Sequence, residues 1–404
     1  MTASASSHLI DDGLARRNAR LLSAAQAIGG AMTSITIATG GLAGFYLLGD
    51  DKSLSTLPIT TMVLGTACGT VPAALLMRWI GRRGGFLIGA GIGAIGGLSA
   101  CLAVLSGHFL LFCLATWVTG FSAAFVQQYR FAAADTASVG FRPKAISWVL
   151  AGGVLAGIIG PQSIILTRDL FSPVQFAGGF AAQAVLCVLA MGILGFVSIP
   201  KPSIRKGASG GRPLLTILRE PRIAIAILCA VSSFALMSLV MTAAPLAMVQ
   251  CGLSQDDAAL GIQWHVIAMF GPSFFTGSLV ARFGRESITS IGLSLLLAAG
   301  IVALLGITVA HFWLALILLG LGWNFGFIGA TSMLTDAQRP EERARVQAAN
   351  DFCVFGVVAM ASFSSGKILN GAGWEMVNWM LFPAVGLTIA ALAWLTLTGR
   401  HRLS

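Results

Sequence analysis

Arg78-Trp79-Ile80-Gly81-Arg82-Arg83 is a short basic turn between two long apolar runs, at about 54–77 and 84–106. Roughly 20 apolar residues cross the hydrocarbon core of a bilayer, and each run is that long. Charges confined to the break hold it in water, because they are costly at membrane depth. The chain is therefore expected to cross a membrane, turn on a few residues and cross back. Working outward, similar runs recur at about 21–49, 109–132, 145–166 and 175–198, and again at about 223–249, 258–281, 287–309, 312–334, 346–368 and 378–397. Between the two sets lies a polar stretch, 199–222, with Lys201, Pro202, Arg205, Lys206, Arg212 and Pro213. The expected organisation is a tail (1–20), six spans (21–198), a linker (199–222), six spans (223–397) and a tail (398–404).

Composition agrees. Of 404 residues, 56% are hydrophobic and only 10% charged, with a mean hydropathy of +0.86. An ordinary soluble domain carries about 25% charged residues, and a disordered chain is low in hydrophobicity, so both are excluded. In a soluble protein a net charge of +10 would suggest nucleic acid. Here, starting the chain in the cytoplasm puts all 25 basic residues inside except Lys52, Arg168 and Lys367. That asymmetry is the mark of cytoplasmic loops. It implies an inner-membrane protein with both termini cytoplasmic and no nucleic-acid partner. Arg16, Arg17 and Arg20 precede a first run too long for a signal-peptide core, so that run is expected to stay as a permanent span. The seven cysteines are scattered without a C-x-x-C pair, which points away from a disulfide or metal framework.

The two halves echo each other. Asp135, Arg142 and Lys144 follow the fourth span, and Asp336, Arg343 and Arg345 follow the tenth at the same spacings. Arg282-Phe283-Gly284-Arg285 repeats the turn at 78–83. Two matches in register suggest a duplicated six-helix unit, the parallel-repeat pattern of transporters. On these residues the chain resembles the major facilitator superfamily over nearly its whole length. The family's loop motif is G-x-x-x-D-R-x-G-R-[RK]. Gly277 to Arg285 match it except at Ala281, where Asp is expected. The first half keeps Gly81-Arg82-Arg83 but has Arg78 and Trp79 in place of Asp-Arg. The resemblance implies an all-α integral membrane protein of twelve transmembrane helices, arranged as two pseudo-symmetric six-helix bundles. It also implies a cytoplasmic latch, with Arg82, Arg83, Asp135, Arg142, Arg282, Arg285, Asp336 and Arg343 as its residues. The pairs Asp135/Arg142 and Asp336/Arg343 are expected to replace part of the lost relay; the competing reading makes the arginines topology anchors. Gly153, Gly157, Gly160 and Pro161 match the family's antiporter motif incompletely, since Ile164 and Ile165 follow. That leans the reading toward uptake.

The family places its solute between the halves. Polar groups at membrane depth on the relevant helices are Gln26, Trp117, Gln128, Gln162, Gln263, Trp264, His265, Trp323 and Asn324. Amides and indoles without a mid-depth cation suit a neutral polar solute with a flat ring. Arg130, His265 and Asp351 are the candidates for proton coupling or gating; another ion, or no coupling ion, stays open. No nucleophile–base arrangement, metal-ligand spacing or phosphate loop stands out, so no enzyme, cofactor or metal is expected. The expected function is secondary transport, leaning to uptake, of a small ring-containing solute by a monomer in the bilayer. A vitamin-like nutrient such as riboflavin is one example. Proton-coupled efflux of drugs or metabolites is the alternative, and a transport-inactive sensor is the reading from another class.

Overall fold

The computed structural model describes residues 12–138, 141–199, 213–339 and 342–400. Most of the expected linker and the ends of both tails lie outside these residues. In the first half, α1 (Asp12–Gly29) and α2 (Ala31–Leu47) make span 1. Spans 2 and 3 are α3 (Leu57–Ile80) and α4 (Arg82–Leu105). Span 4 combines α5 (Phe109–Val126) with α6 (Tyr129–Asp135), and spans 5 and 6 are α7 (Arg142–Thr167) and α8 (Ala177–Leu194). A short helix, α9 (Leu214–Leu218), leads into the second half. There, α10 (Pro221–Gln250) is span 7, and α11 (Gln255–Phe270) with α12 (Ser273–Phe283) is span 8. Spans 9 and 10 are α13 (Arg285–Leu305) and α14 (Val309–Ala337), and α15 (Arg343–Trp379) and α16 (Leu381–Arg400) hold the last two.

Ten helices among the described residues are long and apolar enough to cross a membrane, and the bent pair α11–α12 makes an eleventh. One of the ten, 345–398, runs for 54 residues. At 1.5 Å per residue that is about 80 Å, far more than one crossing of about 30 Å. It divides at Gly373, whose φ of 82° breaks the helix, and this gives twelve spans. The same backbone turn recurs at Gly81 (φ 92°, ψ 164°) and Gly284 (φ 88°, ψ 154°), each reversing the chain in one residue. Only glycine holds that conformation without strain, which is the physical reason for the glycine shared by both loop motifs.

An even number of spans puts residues 12 and 400 at one end of the bundle, here called proximal. Asn18 bonds the backbone of Ser198 there, at 2.7 Å and 3.1 Å, so spans 1 and 6 end together. The two halves meet at the other, distal end. Thr56, which caps α3, and Thr60 of α3 donate to Ser362 of α15 (3.2 and 3.3 Å), and the Asn370 amide reaches Lys52 O and Ser55 Oγ (3.0 and 3.2 Å). Arg168 pairs with Asp256 across the same seam. In the stretch before α3, the Ser53 N–H donates to Asp51 at 2.8 Å and holds that carboxyl below its ordinary range. Burial follows the same gradient. Residues 34–44 of α2 and 235–248 of α10 are buried on every side, whereas α1 and the start of α10 carry exposed residues. A helix buried all round is enclosed by neighbours. The space between the halves is therefore shut distally and parted proximally.

Candidate functional site

Two matching ion pairs stand at the proximal end. Arg82, at the start of α4, contacts Asp135 at the end of α6 at 3.0 Å. Arg285, at the start of α13, pairs with Asp336 near the end of α14. A cation at a helix N-terminus and an anion at a C-terminus each oppose the helix dipole, and pairing them offsets both. The pairing differs from the expected one. Arg142 donates instead to Ala137 O (3.2 Å), and the side chain of Arg343 lies outside the described residues. Arg83 is exposed and Arg282 lies over the Phe283 ring at 5.2 Å; among the described residues neither joins an ion pair. Beside Arg285 a cleft of about 530 Å³ is lined by Gly277, Ala281, Thr331 and Asp336. Ala281, where the family's motif has Asp, is part of that lining. These pairs are partly exposed, so each contributes at most about 1 kcal/mol to stability. Arg82→Ala and Arg285→Ala are expected to slow transport more than they weaken solute affinity, because a latch belongs to one conformation. Unchanged turnover in both would make them topology anchors.

An aromatic cluster fills the second half's side of the central cleft. Trp323 and Phe327, one helical turn apart on α14, stack at 5.3 Å with an 11° interplanar angle. Phe234 of α10 meets both edge-on, at 5.4 and 5.3 Å. Phe270 closes on Trp323 at 6.4 Å, and Phe355 of α15 on Phe234 at 6.1 Å. All five are partly exposed, although they sit in four different spans of one bundle. The Trp323 indole N–H is buried with no hydrogen-bond partner. Of the five, sequence reasoning named only Trp323. Phe327 was legible from its i+4 spacing; the others converge only through the fold.

The remaining candidates go elsewhere. Asn324 was expected to bind solute, but it is fully buried and spends its amide on span 8. It donates to Met269 O and Ser273 Oγ (both 2.7 Å) and accepts from Thr276 (2.6 Å). Pro272 has no N–H, so the helix ladder is broken there, and Asn324 staples the break. His265, expected as a coupling or solute residue, faces α14 instead, with Nδ1 2.8 Å from Leu316 O and no exposed surface. Gln162 and Gln263 bond each other across the halves at 3.0 Å. Gln162 shares its helix face with the exposed Leu155, Ile158 and Leu166, so the pair closes the lipid side of the seam between spans 5 and 8. Trp264 is 40% exposed in the closed distal half and faces outward. Trp117 packs on Phe121 along the face that carries exposed Leu110 and Leu114, again toward lipid. Gln128 accepts from Arg82 at 3.4 Å and belongs with the latch. Gln26 accepts the Gly30 N–H through its backbone carbonyl, where α1 gives way to α2. Arg130 is exposed and Asp351 half-buried, on α6 and α15 near the proximal ends of spans 4 and 11.

Two like bundles, joined at one end and parted at the other around a ring-lined cleft, define a secondary transporter. The chain belongs to the Major Facilitator Superfamily, whose model matches residues 21–362. It is 51% identical over 388 residues to the riboflavin transporter RfnT of Brucella anthropi, covering 95% of this chain and 97% of that one. It is 28% identical over 379 residues to the uncharacterized MFS-type transporter YddS of Bacillus subtilis, covering 89% and 85%. Among solved structures, a variant of the nucleoside transporter NupG matches with a TM-score of 0.73 at 15% identity, over 94% of this chain and 99% of that one. This last likeness shows the fold alone.

Proposed function

We propose that the protein takes up riboflavin across the inner membrane by alternating access, with both termini in the cytoplasm. The observation that carries this reading is the cluster Phe234, Phe270, Trp323, Phe327 and Phe355 at the cleft. Riboflavin presents a flat, uncharged, three-ring system with carbonyl acceptors along one edge. Stacked and edge-on aromatic rings suit the first, and the unpartnered Trp323 N–H suits the second. The 51% identity with a riboflavin transporter over almost the whole length narrows a ring-binding cleft to this solute. Basic residues concentrate in the turns of the proximal end, which supports a cytoplasmic assignment for it. On that orientation the cleft opens inward.

The test is saturable riboflavin entry, and counterflow, in proteoliposomes of the purified protein. Entry no faster than in empty liposomes would sink the proposal. Dependence on an imposed pH gradient separates proton-coupled accumulation from facilitated equilibration.

A further inference from the structure

The halves carry opposite charges at both ends of the cleft, but only one set is in contact. Distally, Arg168, which caps the end of α7, and Asp256 of α11 are joined. Proximally, Arg130 of α6 and Asp351 of α15 lie on opposite halves near the proximal ends of spans 4 and 11, yet no ion pair joins them in this conformation. Asp351 is also the one carboxylate among the described residues that sits well inside a span.

Position on the helix says where Asp351 points. Residues 351, 355, 362 and 366 fall within about 60° of one another at 100° per residue. The distal members of this stripe touch α3, through the bonds of Thr56 and Thr60 to Ser362 and of the Gly366 N–H to Thr56. The proximal members, Phe355 and Asp351, lie where the halves have parted and so face the opening. Asp351 is one turn from Phe355, whose ring meets Phe234, which places it directly beneath the aromatic cluster. Both charges are held as if in waiting. Gln347 and Asn350 donate to Asp351 Oδ1 at 2.9 and 3.1 Å, and Arg130 rests over the Phe131 ring at 4.8 Å. An ionised carboxylate at membrane depth is costly when it has no counterion, so Asp351 gains from meeting Arg130.

We propose that Arg130 and Asp351 close into an ion pair when the halves rock to open the distal end, forming a floor under the solute. Arg168 and Asp256 form the roof in the present conformation and separate in that one. Each half-cycle then breaks one cross-half pair and makes the other. The inference rests on the transporter fold and not on the identity of the solute.

Crosslinking tests it without any solute. The seven native cysteines are first replaced, and Arg130→Cys and Asp351→Cys are introduced together. A short bifunctional maleimide should join them poorly in this background. Adding Gly366→Trp, which wedges the distal seam, should raise the yield by about fivefold or more as the other conformation becomes populated. Charge exchange gives a second readout in riboflavin counterflow. Arg130→Asp and Asp351→Arg should each slow it about tenfold or more, since like charges then oppose closure, and the double exchange should recover to within about threefold of wild type. A crosslink yield indifferent to Gly366→Trp would overturn the proposal. So would a double exchange as slow as the slower single in protein that elutes as native. If a charge-reversed single does not fold, or riboflavin is not carried, the crosslink alone decides.

Discussion

Trp323→Ala is expected to weaken riboflavin binding by about 2 kcal/mol, the middle of the range for removing an aromatic stacking platform, which is roughly thirtyfold in affinity. The size follows from its position. Trp323 touches three other rings, Phe234, Phe270 and Phe327, so its loss removes a stacking face and loosens the walls beside it. Trp323→Phe separates two contributions. It keeps a ring but deletes the N–H that is buried without a partner. A hydrogen bond to a solute carbonyl contributes about 1 kcal/mol, so this variant should bind about fivefold more weakly than wild type. Trp117→Ala is the control. That ring lies on the lipid side of span 4, and its loss should leave affinity within about twofold, a few tenths of a kcal/mol. Quenching of flavin fluorescence on titration into purified protein reads all three. Equal affinity in wild type and Trp323→Ala would remove the aromatic cluster from the site.

The spans were legible because an apolar run long enough to cross a bilayer has few other uses, and because charges mark its ends. The boundary between spans 11 and 12 shows where that logic thins. The helix continues well past Lys367 and turns at Gly373 alone, so no polar loop announces the reversal. The latch shows a second kind of loss. Asp135 and Arg142 are close in sequence, but the one-residue turn at Gly81 brings Arg82 to Asp135 instead. Neighbours along the chain are a weak guide to ion pairs when helix packing decides which ends meet.

Within the site, residue type indicated what is costly at membrane depth but not where it points. Trp323 and Asn324 are adjacent, and adjacent residues diverge by about 100° on a helix. One faces the cleft, and the other spends its amide on the broken span 8. Both are explained by membrane depth, and only packing separates their roles. The amides of Gln162 and Gln263 satisfy each other in the same way. The phenylalanines were passed over for the opposite reason. In a chain with 24 of them, a Phe in a span is ordinary until four helices bring several to one place.

Gly366→Trp is expected to slow transport by about fiftyfold or more and to leave the protein open at its distal end. Gly366 of α15 sits against Thr56, the residue that caps α3. Its N–H donates to Thr56 Oγ1 at 3.1 Å, and Thr56 in turn donates to Ser362 O at 3.2 Å. Thr242 of α10 reaches the same serine at 3.5 Å, and Gln250 bonds Asn370 at 3.2 Å, so spans 2, 7 and 11 converge there. A side chain at 366 would run into Thr56. Close-packed interiors do not absorb such a volume, and overpacking costs about 1–3 kcal/mol or more. The contact exists only while the distal end is shut, so parting the halves relieves the strain. About 3 kcal/mol shifts the balance between two conformations by roughly 150-fold, and a transporter that seldom shuts its distal end seldom completes a cycle. Two measurements read this. Riboflavin counterflow should fall, and a cysteine at Thr242, in protein stripped of its native thiols, should react faster with an impermeant maleimide applied from the distal side. Gly366→Ala, with a single methyl to accommodate, should give a smaller change in the same direction. Wild-type flux in Gly366→Trp would mean that spans 2 and 11 need not meet at this glycine during the cycle, and the distal seam would then be closed by Arg168 and Asp256 instead.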